Sequence, residues 1–330
     1  MKEKSVGILG LGSYVPAKIM TNNEIEQMVD TSDEWIIERT GIRERRIAAA
    51  NEATSDLATA AALRALTDAN VKPEEIDLII VATVTPDMSF PSVACLVQKN
   101  IGAMHAAAFD LTAVCSGFIY GLIVGTQFIR TGTYRKVLVI GAEALSKITD
   151  WTDRNTSIIF GDGAGAAVLG ETAEGYGIVG VDLGADGTGG DLLKVPAGGS
   201  RLSTTAETIE QRLHFISMNG AEVFKFAVKV MGESATKALA NAALTKKDID
   251  CLVPHQANIR IIQSAAKRLG LPMDKVVVNV EKYGNTSAAS VPIALDEAVQ
   301  SGRIKNDDVV VLVGFGGGLT WGASVIKWKK

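Results

Sequence analysis

Two buried strand patterns recur in this chain at one fixed spacing, and this repeat limits the folds that the chain can adopt. The segment around Asp77 (Lys-Pro-Glu-Glu-Ile-Asp-Leu-Ile-Ile) matches the segment around Asp250 (Lys-Lys-Asp-Ile-Asp-Cys-Leu-Val), 173 residues later. The apolar run that begins at Lys136 matches the run that begins at Val309, again 173 residues later. Two separate matches at one spacing predict a duplicated unit. Within each half, buried strands alternate with helices, which predicts a largely parallel sheet covered on both faces.

The boundary between the halves is predicted at the start of a Gly- and Asp-rich stretch, which gives an N-terminal half of residues 1–174 and a C-terminal half of residues 175–330. A chain of 330 residues is long for one simple core, so two halves sharing an interface are expected. Apolar residues make up 47% and charged residues 21%, which is typical of a well-packed globular protein. The net charge of −4 gives no support for nucleic-acid binding.

The sparse cysteines predict a reducing compartment. Cys95, Cys115 and Cys251 are an odd number and offer no disulfide framework. The apolar run Val6–Leu11 is broken by glycines and is too short for a signal peptide. No apolar run approaches the length of a membrane span. We therefore expect a cytoplasmic protein without a membrane partner.

The first strand and a later glycine-rich segment carry specific predictions. Ser5–Leu11 is expected to form a strand that ends in a turn at Gly12 and Ser13. The third glycine of a dinucleotide-binding fingerprint is replaced by Val15, so that fingerprint is excluded. The segment Ser157–Leu169 is expected to form a pair of strands around a glycine turn.

Cys115 lies where an apolar extended approach, Ala106–Phe109, passes into small residues and then a helical pattern. This order predicts a strand, a turn and a helix, with Cys115 near the helix N-terminus. Unpaired N–H groups and the helix dipole there favour the nucleophilic thiolate. The alternative is a small buried hydrophobic residue that does no chemistry. The polar residues downstream favour the nucleophile.

Three downstream features accompany Cys115, and each alone has a structural explanation. His255 follows a buried strand of the second half, where functional groups collect in α/β sheets, although a lone histidine there is more often structural. Asn285 precedes a helix and alone would be a helix N-cap. The glycine loop Gly314–Thr320 follows the last repeated strand. A backbone N–H site for an oxyanion explains this loop better than a phosphate cradle, because a strand and not a helix follows it.

Together these motifs resemble the condensing enzymes of the thiolase fold, and specifically the β-ketoacyl-acyl-carrier-protein synthase III family. The similarity runs from Val6 to the C-terminus. Its motifs are Thr-Ala-Val-Cys115-Ser-Gly, His255-Gln-Ala-Asn258, Gly284-Asn285-Thr-Ser-Ala-Ala-Ser-Val-Pro292 and Gly314-Phe-Gly-Gly-Gly-Leu-Thr-Trp-Gly322. The resemblance implies an α/β, thiolase-like fold in which two duplicated βαβ-rich halves form a five-layered αβαβα sandwich. Ser116, often Ala in the family, and a long loop at 184–215 depart from the pattern.

The resemblance implies a catalytic triad of Cys115, His255 and Asn285. Related elongating synthases use Cys-His-His and thiolases Cys-His-Cys, whereas Cys-His-Asn is shared with the chalcone-synthase-like branch. The implied enzyme is an acyltransferase that condenses an acyl-CoA primer, expected to be acetyl-CoA, with malonyl-acyl carrier protein. The products are a 3-oxoacyl-acyl carrier protein, CoA and CO2, and the reaction initiates fatty acid biosynthesis through acyl-Cys115. His255 and Asn285 would donate to the enolate oxygen, and the N–H groups of Cys115 and Gly317 would form the oxyanion hole. No metal and no cofactor are expected.

The resemblance also implies binding residues. Trp35 and Arg154 would sandwich the CoA adenine. Phe90 would cross a homodimer interface to close the partner's acyl pocket. The remaining CoA-binding residues are Arg39, Gly220, Phe224 and Asn258, and the acyl-carrier-binding residues are Lys225, Arg260, Lys267 and Arg268, with Arg260 as the main contact.

Three other functions remain open from the sequence. The first is another acyl-CoA-dependent condensing enzyme or acyltransferase of this fold, including the alkylquinolone type, which acceptor choice would distinguish. The second is a non-catalytic partner subunit, which we would expect to lack the nucleophile. The third is a cysteine hydrolase of CoA thioesters, in which Asn285 could not act as base and His255 would have no orienting carboxylate.

Overall fold

The computed structural model describes residues 4–330 as a layered α/β fold. The strands are β1 (Val6–Tyr14), β2 (Lys18–Thr21), β3 (Glu44–Ile47), β4 (Leu78–Ala82), β5 (Ala107–Leu111), β6 (Val137–Glu143), β7 (Gly163–Glu171), β8 (Gly177–Ala185), β9 (Leu193–Lys194), β10 (Ser217–Met218), β11 (Cys251–Pro254), β12 (Val309–Gly316) and β13 (Thr320–Lys327). The α-helices are α1 (Asn22–Glu26), α2 (Asp33–Thr40), α3 (Thr54–Ala69), α4 (Val93–Ile101), α5 (Gly117–Arg130), α6 (Arg154–Ser157), α7 (Ala206–Glu210), α8 (Gly220–Asn241), α9 (Ile259–Leu269), α10 (Val280–Tyr283) and α11 (Ser290–Gln300).

The two repeated sequence patterns form equivalent strands in two main sheets. In the first sheet, of order β1-β7-β6-β4-β5, strands β4 and β6 are parallel neighbours. In the second sheet, of order β11-β12-β13-β8, strands β11 and β12 are parallel neighbours. The duplication inferred from the fixed spacing is therefore present in the fold.

The prediction of largely parallel sheets is wrong, because both sheets are mixed. Strands β1 and β7 are antiparallel to each other, and β7 is antiparallel to β6. In the second sheet β13 is antiparallel to both β12 and β8. The three residues Gly317–Leu319 that join β12 to β13 are too few for a crossover, so these strands must run in opposite directions.

Helices lie outside and between the two sheets. Helices α3 and α4 cover the outer face of the first sheet, and α8, joined by α9, covers the outer face of the second. Helices α5 and α11 contact strands of both sheets and form the middle layer. An apolar cluster that includes Phe118, Leu122, Val139 and Leu312 fills this middle region. The expected five-layered αβαβα arrangement is confirmed.

Two local predictions are corrected by the structure. β1 continues to Tyr14, so Gly12 and Ser13 do not form a turn. A Cβ atom on Gly12 would lie 2.3 Å from the backbone nitrogen of Ala65 in α3, so this glycine allows helix and strand to pack closely. The segment Ser157–Leu169 contains the end of α6 and part of one strand, β7, and not a pair of strands.

The predicted boundary at 174/175 falls in the link between the last strand of the first sheet, which ends at Glu171, and β8, which begins at Gly177. The division into two folding units stays a prediction. None of the helices formed by residues 4–330 combines the length and apolar character needed to cross a membrane.

Candidate active site

Cys115 lies at the start of the central helix α5. Strand β5 ends at Leu111, a one-turn 3-10 helix spans Val114–Ser116, and α5 begins at Gly117. The Cys115 side chain is buried, with 5% of the residue exposed. The predicted order of strand, turn and helix around the cysteine is therefore confirmed.

Three non-glycine residues in left-handed backbone conformation mark the segments that meet at Cys115. Val114 immediately precedes the cysteine with φ 49°, Ser287 follows Asn285 by two residues with φ 46°, and Leu319 lies in the glycine loop with φ 46°. Such conformations cost about 1–3 kcal/mol each and persist where surrounding packing enforces them. The fold thus holds strained backbone in three of the segments predicted to carry the chemistry.

The glycine loop approaches the backbone of Cys115 closely. A Cβ atom on Gly316 would lie 2.5 Å from the Cys115 amide nitrogen, so this position has no space for a side chain. A Cβ atom on the neighbouring Gly314 would contact both the Cys115 carbonyl oxygen and the His255 Cβ, at 3.4 and 3.6 Å. Gly314 therefore lies between the cysteine and the histidine.

His255 is held by hydrogen bonds on its backbone and on one ring nitrogen. Its N–H donates to the Val313 carbonyl at 2.8 Å, and its Nδ1 lies 2.6 Å from Ser290 Oγ. The other ring nitrogen, Nε2, is buried without a hydrogen-bond partner among residues 4–330. Burial lowers the pKa of His255 to about 3, so the imidazole is neutral at physiological pH.

Hydrogen bonds orient Asn285, two with the segment that precedes β7 and one with a residue that follows Asn285 in the chain. Its N–H donates to Ile159 O at 2.9 Å, and its carbonyl accepts from Gly161 N at 3.1 Å. Its side-chain Oδ1 accepts from Ser287 N at 2.8 Å. This contact identifies the oxygen end of the amide and leaves the Nδ2 hydrogens as the free donors.

Burial opposes the predicted preference for the Cys115 thiolate in the unliganded protein. Burial raises the pKa of Cys115 to about 12, and the charge of Glu143 adds to this increase. Contact with the Ser287 hydroxyl and a backbone hydrogen bond lower the pKa by less. The thiol is therefore protonated in the resting site, because burial is the largest of these effects on its pKa.

One cavity of about 950 Å³ joins the three residues of the predicted triad to the surface. Most of the predicted CoA-binding residues line it as well. The predicted residues that line the cavity are Trp35, Arg39, Cys115, Gly220, Phe224, Lys225, His255, Asn258, Arg260 and Asn285.

Five predicted residues do not line this cavity. Arg154 is nevertheless adjacent to it, since its guanidinium carbon lies 4.1 Å from the centroid of the Trp35 ring. Lys267 and Arg268 lie in the last turn of α9, roughly 10 Å along the helix from Arg260. Phe90 is 84% exposed on the surface. Gly317 starts the 3-10 helix after Gly316.

Sequence reasoning missed three polar residues of the site. Ser290 contacts the His255 ring, and Ser287 lies near the Cys115 thiol. Glu143 ends the wholly buried strand β6. The sequence did contain a signal for Glu143, because an acidic residue directly after the apolar run Val137–Ala142 is expected at the end of a buried strand.

Comparison with known proteins places the chain in one family. Residues 109–187 match the family described as 3-oxoacyl-[acyl-carrier-protein (ACP)] synthase III, and residues 239–328 match its C-terminal part. The chain is 64% identical over 326 residues to a β-ketoacyl-[acyl-carrier-protein] synthase III of Caldanaerobacter subterraneus subsp. tengcongensis, covering 99% of this chain and 98% of the relative.

Solved structures give the same result for the fold. The crystal structure of 3-oxoacyl-[acyl-carrier-protein] synthase III from Aquifex aeolicus matches with a TM-score of 0.91 and 46% identity, covering 98% of this chain and 100% of that one. The priming β-ketosynthase of the R1128 polyketide pathway matches with a TM-score of 0.91 and 39% identity, covering 98% of this chain and 96% of that one. The thiolase-like fold is confirmed, and the chain belongs to the β-ketoacyl-acyl-carrier-protein synthase III family of condensing acyltransferases.

Proposed function

We propose that this enzyme, which catalyses the condensation that initiates fatty acid synthesis, uses Cys115 as the acyl acceptor and His255 and Asn285 as donors to the enolate. The observation that carries the proposal is that all three residues line one cavity that reaches the surface. The primer is proposed to be acetyl-CoA, and the second substrate malonyl-acyl carrier protein. The products are a 3-oxoacyl-acyl carrier protein, CoA and CO2.

In the first half-reaction, the Cys115 sulfur attacks the thioester carbonyl of the primer and CoA leaves. The oxyanion that forms needs fixed N–H donors. The amide of Cys115 and the amide of a loop glycine, with Gly317 proposed, supply them. The close approach of Gly316 to the Cys115 nitrogen supports the glycine loop as the source of the second N–H donor.

In the second half-reaction, malonyl thioester loses CO2 and the resulting enolate attacks acyl-Cys115. This step needs hydrogen-bond donors, because decarboxylation itself generates the carbanion. In the proposed tautomer the Ser290 hydroxyl donates to His255 Nδ1, which lies 2.6 Å away, and the ring hydrogen is on Nε2. The unpartnered Nε2 and the free Asn285 Nδ2 are the proposed donors.

The outer part of the cavity is the proposed acyl-CoA channel. Trp35, Arg39, Gly220, Phe224 and Asn258 line it, and Arg154 lies over the Trp35 ring. The mouth is cationic, with Lys225 and Arg260 in the lining. Lys225 pairs with Glu222 at 2.6 Å, which leaves Arg260 as the stronger proposed contact for an acidic carrier protein. Lys267 and Arg268 would extend this surface along α9.

Quaternary state, location and cofactor use complete the proposal. The 84% exposure of Phe90, next to exposed Met88, supports an apolar surface covered by a second copy of the chain. The three free cysteines support a reducing, cytoplasmic setting. The proposed chemistry uses side chains and backbone N–H groups only, without metal or cofactor.

The test is the intact mass of the enzyme after mixing with a panel of acyl-CoAs, with Cys115→Ala as control. We expect an acyl adduct on Cys115 that malonyl-acyl carrier protein discharges and water does not. The acyl group that loads fastest identifies the primer. Absence of an adduct with every acyl-CoA would overturn the role of Cys115.

The same measurement separates the other candidate functions. A hydrolase would clear the adduct as fast as it forms. A condensing enzyme outside fatty acid synthesis would load Cys115 but use a different acceptor. The match to a priming ketosynthase of a polyketide pathway is the observation that favours this alternative. A binding subunit would form no adduct.

A further inference from the structure

Behind Cys115 lies a buried carboxyl group that the proposed chemistry does not use. Glu143 is the last residue of β6 and is fully buried. Its Oε2 accepts hydrogen bonds from Thr85 Oγ1 at 2.7 Å, Val84 N at 3.1 Å and Thr83 Oγ1 at 3.2 Å. Its other oxygen, Oε1, is buried without a hydrogen-bond partner among residues 4–330. An unpartnered carboxylate oxygen is costly in the interior, so its position calls for an explanation.

Ser287 lies between this carboxyl group and the nucleophile. A Cβ atom on Gly141, two residues before Glu143, would lie 2.2 Å from the carbonyl oxygen of Ala288, and one on Gly117, two residues after Cys115, would lie 3.6 Å from the Ala288 Cβ, so the segment that carries Ser287 packs against both groups. Contact with the Ser287 hydroxyl accordingly lowers the pKa of Glu143 and the pKa of Cys115. Ser287 Oγ is itself buried and has no hydrogen-bond partner among residues 4–330. Hydrogen bonds of unliganded active sites are often loose and tighten with substrate. A Ser287 hydroxyl that bonds to both groups in the substrate-bound site would complete a chain from the Cys115 thiol to the Glu143 carboxyl group.

We propose that Glu143 takes up the thiol proton of Cys115 through the Ser287 hydroxyl during acylation and returns it when the condensation product leaves. This inference rests on the proposed role of Cys115 as acyl acceptor. Ser287 contacts the reacting sulfur, and Glu143, which acts through Ser287, is a positioning residue.

The charges of the buried site favour this relay over loss of the proton to water. With Glu143 ionised, loss of the proton to water would place two negative charges side by side in a desolvated site. Transfer of the proton to Glu143 keeps a single negative charge and moves it from the carboxylate to the sulfur. Burial raises the pKa of Glu143 to about 7, so the carboxyl group exchanges a proton near neutral pH.

The alternative proton acceptor is weaker. Burial lowers the pKa of His255 to about 3, which makes the imidazole a poor base. The other contacts of the Glu143 carboxyl are uncharged groups, from Thr83, Val84, Thr85 and Ser287. The nearest acidic neighbour in sequence to the pairing partner of Glu143 in β7 is Asp162. Its carboxylate accepts hydrogen bonds from the N–H groups of Ala48 and Ser146 and not from the groups that hold Glu143.

Both half-reactions balance with this relay. In acylation, the Cys115 S–H proton passes to Ser287 Oγ while the Ser287 proton passes to Glu143. The new S–C bond forms, the C–S bond to CoA breaks, and the CoA thiolate takes a proton from solvent. In condensation, the enolate forms the new C–C bond, Cys115 leaves as thiolate, and the proton returns from Glu143 through Ser287.

The test measures the rate at which an acyl-CoA acylates Cys115 in a single turnover between pH 5.5 and 9, in the full-length enzyme and in Glu143→Gln and Ser287→Ala. We expect the rate of the unmodified enzyme to rise with pH through about 7, as Glu143 ionises. Both variants should acylate about 10²–10³-fold more slowly at pH 8 and lose the rise near pH 7. Thermal unfolding and CoA binding verify that the variants are folded.

Two control variants alter comparable buried groups elsewhere. Asp296→Asn changes a buried carboxyl that contacts Ser13, and Ser324→Ala removes a buried hydroxyl in β13. Both should acylate within about twofold of the unmodified enzyme. They separate loss of the relay from general disturbance of the core.

The outcomes are distinct. If Glu143→Gln acylates as fast as the unmodified enzyme or faster, Glu143 only repels the thiolate and the relay is overturned. If the unmodified enzyme forms no adduct with any acyl-CoA, the proposed function itself fails, and the relay with it. Slow acylation in Glu143→Gln with an unchanged pH profile would assign the residue a structural role and would also overturn the relay.

Discussion

The guanidinium carbon of Arg154 lies 4.1 Å from the centroid of the Trp35 indole ring. Arg39 lies over the same ring at 5.2 Å. A separation of 4.1 Å leaves no room for a further planar ring between Arg154 and Trp35. Acyl-CoA can therefore insert its adenine at this position only if Arg154 moves away from the indole.

The first prediction concerns this movement. Arg154→Ala removes one side of the adenine site, and we expect KM for acyl-CoA to rise about fivefold with little change in kcat, since one cation–π contact contributes about 1 kcal/mol. Steady-state kinetics with varied acyl-CoA measure the change. Arg135→Ala, far from the cavity, is the control. An unchanged KM would show that Arg154 does not hold the nucleotide.

The second prediction concerns the glycine loop. Gly316→Ala would place a methyl group 2.5 Å from the Cys115 amide nitrogen, so loop or cysteine must shift. We expect acylation of Cys115 to slow at least about a hundredfold, because displacing one oxyanion donor has that effect in other enzymes. Gly190→Ala is the matched control, since a Cβ atom there meets nothing within 4 Å. Equal rates in the two variants would exclude the loop from the oxyanion site.

The third prediction concerns Glu143 and stability. Because the pKa of Glu143 is raised from 4.5 to about 7, its stabilising contribution is complete below about pH 4.5 and is lost as the pH rises through 7. Glu143→Gln has no proton to lose. Its free energy of unfolding, relative to that of the unmodified protein, should therefore increase by about 3 kcal/mol between pH 4.5 and 8.

Urea titrations at several pH values measure this difference. Glu74→Gln, at an exposed position, should show no such trend. A difference that stays constant with pH would mean that folding does not raise the pKa of Glu143.

The fourth prediction concerns His255 and acid. The pKa of His255 is lowered from 6.5 to about 3, so the unfolded chain binds a proton in this range that the folded chain does not. This contribution to stability is present above pH 6.5 and is lost as the pH falls toward 3, at about 1.4 kcal/mol per pH unit. In His255→Gln the decline in unfolding free energy below pH 6.5 should be shallower by that amount. His105→Gln, at an exposed histidine, should follow the unmodified protein.

Much of the site was predictable from the sequence, because its residues lie in short motifs next to strands and helices that the sequence pattern predicts. The repeat located β4, β6, β11 and β12, and His255 directly follows β11. Cys115 and Asn285 were found from their own local motifs, and all three residues line one cavity.

The predictions that failed depend on burial, on the length of one link and on contacts between distant segments. Burial is the largest influence on the pKa of Cys115. The antiparallel return of β13 follows from a link of three residues. Glu143 becomes significant only once Ser287, 144 positions later, is known to lie beside it.

The central claim is that Cys115 accepts the acyl group while His255 and Asn285 act only afterwards. The most direct measurement is the amount of acyl-Cys115 in His255→Ala and Asn285→Ala after mixing with acyl-CoA and then with malonyl-acyl carrier protein, followed by intact mass. The account predicts that both variants form the adduct and keep it, without releasing CO2. Discharge of the adduct at the rate of the unmodified enzyme, or failure of both variants to form it, would contradict the account.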